Sequence, residues 1–118
     1  MKSVSLLHQR MWNYFANLKF KNSNGEKCII GSYAFIECSA LTNVTIGKNV
    51  KRIEKNAFFC LMSTLSNVTF SDDSSWFVTE NYSDFENEIG GTKISVTNSS
   101  TNARYFKATY TSYYWYKK

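Results

Sequence analysis

Ile30-Gly31-Ser32-Tyr33-Ala34-Phe35, followed by Leu41-x-x-Val44-x-Ile46, returns as Ile53-Glu54-Lys55-Asn56-Ala57-Phe58, followed by Leu65-x-x-Val68-x-Phe70. Ile30 and Ile53 stand 23 residues apart and Leu41 and Leu65 stand 24 apart, so one residue is inserted in the region of Cys60 to Thr64. Self-similarity at a period in the twenties marks a stack of repeats. One such unit cannot bury its apolar face alone, and the stacked product is an extended surface rather than a pocket. Extended surfaces suit macromolecular partners.

Within each unit the alternation in Val44-Thr45-Ile46 and Val68-Thr69-Phe70 predicts a short strand with one face buried, and stacked units align these strands in a narrow parallel sheet. Ala34-Phe35 and Ala57-Phe58 face the core from a turn or short helix on the other side. The repeat core is therefore expected at Ile30, Ala34, Phe35, Cys38, Leu41, Val44, Ile46, Ile53, Ala57, Phe58, Leu65, Val68 and Phe70. Upstream, Val4, Leu7, Met11, Phe15 and Leu18 follow one another at offsets of three or four, which predicts an amphipathic helix over residues 3–16. Phe15-x-x-Leu18-x-Phe20 also copies the Leu41-x-x-Val44-x-Ile46 spacing, which makes residues 17–20 a strand of an earlier, eroded unit. Lys21-Asn22-Ser23-Asn24-Gly25-Glu26 reads as a turn before the first clear repeat.

After Phe70 the pattern stops at Ser71-Asp72-Asp73-Ser74-Ser75. A repeat stack must end on an atypical unit, because its last strands expose apolar surface and unpaired edges. Residues 71–118 are read as that cap: a strand at Trp76 to Thr79, an acidic loop to Gly91, a strand at Thr92 to Thr97, then a short helix. Ser99 or Ser100 is expected to cap that helix, and Ala103 and Phe106 form its apolar face. Tyr113-Tyr114-Trp115-Tyr116 reads as a closing strand whose Lys117 and Lys118 discourage edge pairing.

These residues resemble the BspA-like leucine-rich repeats, also called the Treponema pallidum type, whose units run approximately Ile-Gly-x-x-Ala-Phe-x-x-Cys-x-x-Leu-x-x-Val-x-Ile-Pro-x-x-Val-x-x. Ile30, Gly31, Ala34, Phe35, Cys38, Leu41, Val44, Ile46 and Val50 agree with this pattern in register. The second unit departs from it: Glu54 replaces the Gly, and Leu61 takes the Cys register with Cys60 one place early. In the first unit, Gly47 stands at the Pro position. The resemblance covers about residues 15–70; a weaker one, through Trp76, Ile94-Ser95-Val96 and Thr101-Asn102-Ala103, extends to the cap of such proteins. It implies a leucine-rich-repeat solenoid of short parallel strands with turns or short helices, an N-terminal helix and a C-terminal α+β cap. The corresponding divisions are 1–16, 17–70 with clear units 30–52 and 53–70, and 71–118. It further implies a cell-surface or secreted protein that adheres to host matrix proteins or to other cells.

The composition limits the chemistry. The chain carries 20 Phe, Tyr and Trp and no Pro, which fits a β-rich chain whose turns use Gly, Asn, Asp and Ser. Its net charge of +5 is uneven: residues 1–71 total +6, residues 72–88 hold six acids and no Lys or Arg, and the remainder totals +5. Cys28, Cys38 and Cys60 have no C-x-x-C spacing and His8 is the only histidine, too few ligands for a usual zinc site. Asp84-x-Glu86-x-Glu88 is not an EF-hand loop, since Ile89 stands where the turn needs Gly and Ser95 where it needs Glu. His8 has no identifiable catalytic partner and Gly90-Gly91 is an isolated turn signal, so neither a catalytic residue nor a cofactor is expected. Asn43, Asn67, Asn81 and Asn98 each open an N-x-Ser/Thr sequon, against roughly 2.5 expected by chance from this composition. No signal peptide is legible, and Ala57 to Met62, the longest apolar run, is far short of a membrane span.

The reading that follows is a non-enzymatic protein-interaction module, without small-molecule substrate or membrane insertion, that binds a host or cell-surface protein through its repeats. Tyr113, Tyr114 and Tyr116 are the candidate partner-binding side chains of the cap, since Tyr is favoured at interfaces. Two alternatives stand beside it. A small basic accessory protein would stack nucleic acid on Tyr105, Tyr110, Tyr113, Tyr114, Trp115 and Tyr116, interleaved with Lys107, Lys117 and Lys118, and a remnant of a longer surface repeat protein would have shed most of its units.

Overall fold

The computed structural model describes residues 2–4, 17–20, 28–34, 41–58 and 64–118. The predicted Val-Thr-Ile and Val-Thr-Phe strands are β4 (Asn43–Ile46) and β6 (Asn67–Phe70), and Val44, Ile46, Val68 and Phe70 point into the core. β2 (Asn17–Phe20) pairs with β4, and β4 with β6, all parallel, with Leu18, Val44 and Val68 in one row and Phe20, Ile46 and Phe70 in the next. The eroded unit at residues 17–20 thus takes its place in register.

A second parallel ladder, which the repeat pattern did not predict as strands, runs β1 (Lys2–Val4), β3 (Cys28–Ile30) and β5 (Val50–Ile53). Val50 and Ile53 are both buried although an odd spacing separates them, and a register shift opposite Cys28/Ile29 absorbs the extra residue. Ser3 and Val4 lie in β1, where the helix over 3–16 was expected to begin; the strand gains backbone partners in β3 that a helix cannot use. Residues 5–16 of that helix lie outside the described residues, as do Phe35, Cys38, Cys60 and Leu61.

The repeats are also joined along their turns. Tyr33 and Asn56 are equivalent positions, and both take left-handed backbone, at φ 58° and 62°. The Tyr33 amide donates to the Asn56 carbonyl at 3.0 Å, and the Ser32 hydroxyl donates to the Lys55 carbonyl at 2.8 Å. The Asn56 amide donates in turn to the Thr111 carbonyl at 2.8 Å, so Thr111 supplies the rung that another repeat would have supplied.

The segment after Phe70 closes both ladders. β9 (Tyr114–Lys117) lies antiparallel between β5 and β7 (Trp76–Thr79), and β8 (Thr92–Ile94) completes a six-stranded sheet in the order β1-β3-β5-β9-β7-β8. One row of residues, Val4, Ile30, Ile53, Trp115, Val78 and Thr92, crosses all six strands. The C-terminal strand is therefore interior, and Lys117 is not an edge charge: it is 6% exposed. Trp115 stacks on Phe106 at 4.3 Å, Phe106 lies 4.3 Å from Phe58, and Phe70 meets Trp76 edge-on at 5.0 Å. Burial of each such side chain contributes about 1.5–3 kcal/mol relative to exposure, and these aromatic contacts join the two sheets in one core.

Three local expectations are corrected. The acidic stretch is not a loop but contains helix α1 (Tyr82–Asn87), capped by the Asn81 side chain. The strand beginning at Thr92 ends at Ile94 rather than Thr97. Helix α2 (Ser99–Arg104) is capped by Asn98, whose side-chain oxygen accepts from the Thr101 amide, rather than by Ser99 or Ser100. Asn is as effective an N-cap as Ser, and Asn98 directly precedes the first helical residue.

Helix α2 covers the outer edge of β6. Asn102, 1% exposed, donates both amide hydrogens, to the Val68 carbonyl at 2.8 Å and the Val96 carbonyl at 2.7 Å. A second tie holds β9: the Lys117 ammonium donates to the Asp72 carboxylate at 2.9 Å and the Lys48 carbonyl at 2.7 Å. The Ser74 hydroxyl, that ammonium and the Ser74 amide together hold the Asp72 carboxyl far below its ordinary value of 3.8.

Asn102→Ala strips donors from two buried carbonyls and is expected to lower stability by about 2–4 kcal/mol in urea denaturation. Asp72→Asn leaves the buried Lys117 ammonium without its carboxylate, at an expected cost of about 1–3 kcal/mol at pH 7. Because folding depresses the Asp72 pKa, its contribution is complete above the unfolded carboxyl value and is lost as pH falls through the folded one. The stability gap between wild type and Asp72→Asn should hold from about pH 7 to 5 and narrow only below about pH 4.

Candidate partner-binding surface

β4 and β6, whose inward residues build the core, present polar residues on their other face, and β2 continues their register. Asn17, Asn43 and Asn67 share one row across β2, β4 and β6, and Lys19, Thr45 and Thr69 share the next. Thr69 is exposed, and Asn43, Thr45 and Asn67 are half-buried. Strands in a sheet lie about 4.8 Å apart, so this is a flat face with a regular polar spacing. The Ser99 hydroxyl donates to the Asn67 side-chain oxygen at 3.1 Å, which joins helix α2 to the row. Two sequons, at Asn43 and Asn67, fall on this face. The other two, at Asn81 and Asn98, are the helix N-caps, which accounts for those asparagines without glycosylation.

All the expected repeat-core side chains within the described residues are buried, from Ile30 at 0% to Phe70 at 5%. The tyrosines of the candidate surface are placed differently from one another. Tyr116 is buried at 1%, stacked on Phe77 at 5.2 Å, and its hydroxyl accepts from the Gly91 amide at 2.9 Å. It faces no partner, because the helix-bearing segment after β7 folds over that side of the sheet. Tyr114 is half-buried, stacked on Phe85 at 4.8 Å with the Lys55 ammonium 5.6 Å from its ring centroid. Tyr113 is half-buried, meets Tyr110 edge-on at 5.0 Å and donates to Glu80. That hydrogen bond, with the carboxylate's charge, holds the Tyr113 phenol above its ordinary range.

More exposed are Tyr82 at 52%, Ile89 at 53% and Tyr33 at 40%. Tyr82 and Ile89 escape a reading that takes residues 80–91 as a solvated loop. The available signal was Asn81 followed three residues later by Asp84, an N-cap with acid in the first turn.

Among the described residues, no group of three His, Cys, Asp or Glu side chains is placed to hold a metal ion, and no helix is long and apolar enough to cross a membrane. An open cleft of about 360 Å³ is lined by Asp73, Ser74, Lys93, Ile94 and Ser95. His8, Cys38 and Cys60 lie outside the described residues.

Parallel strands in register, left-handed turns at equivalent positions and one shared core define a repeat fold whose outward faces are regular. The chain matches the family described as BspA type leucine rich repeat region (6 copies) over residues 10–113, and it belongs to that family. The match continues past Phe70 through most of the closing segment. No curated protein and no solved structure matches the chain. Leucine-rich repeats of this type serve protein–protein interaction in general, are generally non-enzymatic, and are typically found on surface or secreted proteins.

Proposed function

We propose that the protein is a non-enzymatic adhesion module: a short solenoid of units 30–52 and 53–70 preceded by the eroded unit at 17–20, closed by residues 71–118. It acts at the cell surface or after secretion and binds a host or matrix protein through its repeats. The supporting observation is the β2–β4–β6 outer face, where Asn and Thr recur in rows that the core does not require. A regular face offers a protein partner many hydrogen-bonding groups at fixed spacing, and its rigid strands lower the ordering cost of association. The nucleic-acid alternative is weakened by its own platform, since Tyr116 and Lys117 are buried and Tyr114 is engaged by Phe85 and Lys55.

Immobilised full-length chain is expected to retain fibronectin or fibrinogen at physiological salt; failure across a panel of matrix proteins would overturn the adhesion reading. Thr45→Arg with Thr69→Arg should weaken retention about tenfold while the thermal melt stays in place. A binding constant that instead falls steeply with salt on single-stranded DNA would favour the nucleic-acid alternative.

A further inference from the structure

Tyr82 and Ile89, the two most exposed large apolar side chains among the described residues, flank one six-residue helix in the most acidic part of the chain. Scattered exposed hydrophobes are ordinary. Tyr82 has a rigid support, and Ile89 directly follows the left-handed stop of the helix at Glu88. Phe85, between them, is 4% exposed and packs on Tyr114, and Tyr82 meets the same Tyr114 ring edge-on at 5.5 Å. From β5, Arg52 donates to the Glu88 carboxylate at 3.2 Å and to the Glu86 carbonyl at 3.0 Å, with its guanidinium carbon 5.5 Å from the centroid of the Phe85 ring.

The backbone of this segment carries strain. Glu88 takes left-handed backbone at φ 57°, unfavourable for a residue with a Cβ, and Arg52 grips that residue. Two residues on, Gly90 has φ 74°, and a Cβ there would lie 2.8 Å from the Asp84 carboxylate. The chain thus turns sharply after α1 and leaves Ile89 in solvent. Glu80, which also accepts from Tyr113, and Glu86 are exposed just before and within the helix, and residues 72–88 contain no Lys or Arg.

We propose that α1 and its stop form a second docking surface, for a basic polypeptide segment in which an apolar residue lies between Lys or Arg residues. The apolar residue covers Tyr82 and Ile89, and the flanking cations meet Glu80 and Glu86, in the arrangement of an apolar centre with a polar rim. A basic partner is favoured by charge complementarity, since residues 72–88 carry six acids and no Lys or Arg, and Arg52 and Lys117 pair with only two of those acids, Glu88 and Asp72. The surface is distinct from the β2–β4–β6 face and does not rest on the adhesion reading.

The test is fluorescence anisotropy of full-length protein with a labelled peptide of alternating Lys and Leu, beside the same peptide with Glu for Lys. The Lys peptide is expected to bind and the Glu peptide not. Tyr82→Ser with Ile89→Ser should weaken binding about tenfold. Glu80→Gln with Glu86→Gln should weaken it and flatten its salt dependence. Both pairs should melt with the wild type, and Thr45→Arg with Thr69→Arg should bind the peptide normally. No binding, equal binding of the two peptides, or unchanged binding by both α1 variants would overturn the proposal. A dimer in sedimentation that Tyr82→Ser with Ile89→Ser dissociates would overturn it in favour of self-association.

Discussion

A parallel ladder that gains one strand per repeat ends on a strand with half of its backbone groups unpaired, and the rest of this structure depends on how those groups are satisfied. The chain has two such ladders, ending at β5 and β6, and it closes them by different means. Beside β5 it lays its own C-terminal strand, antiparallel, and extends the sheet by β7 and β8. Over β6 it lays helix α2, whose Asn102 amide reaches the Val68 carbonyl. A helix does not present its backbone groups along an edge as a strand does, so here a side chain supplies the bond.

The closing segment also copies the repeat where copying suffices. The Asn56 amide finds the Thr111 carbonyl at 2.8 Å, close to the 3.0 Å of the Tyr33–Asn56 bond one unit earlier. Phe70 and Phe58 meet Phe106, Trp76 and Trp115 where a further unit would have presented apolar residues. Aromatic rings fill this space because fewer residues must cover the end of two sheets. Both buried Trp among the described residues have their N–H satisfied: Trp76 donates to the Asp72 carbonyl and Trp115 to the Tyr110 carbonyl.

Closure gives the molecule two kinds of surface. The β2–β4–β6 face is polar and periodic, and its character comes from the repeat itself. The α1 face is acidic and irregular, and it exists because the segment between β7 and β8 folds back over Tyr116 and Phe77. Arg52 joins the repeats to the closing segment: it sits in β5, yet its contacts lie in the segment after β7.

The repeat was legible in the residues because its signal is local and doubled. The alternation in Val44-Thr45-Ile46 fixes which face is buried, and the offset between units fixes the register, down to Leu18 beneath Val44. The ladder through β3 and β5 was not legible, because Val50-Lys51-Arg52-Ile53 lacks strict alternation and becomes a strand only opposite a register shift. Within the closing segment, positions such as the strand at Trp76 followed from local pattern. Others did not: Lys117 is buried because Asp72, 45 residues away, receives its charge, and Tyr116 because Phe77 and Gly91 enclose it. The sequence by itself determined the repeat, its register and its family, since these follow from periodicity along the chain. Only the tertiary structure decided which aromatics face solvent and where the charges are paired, since those depend on contacts between residues that no local pattern relates.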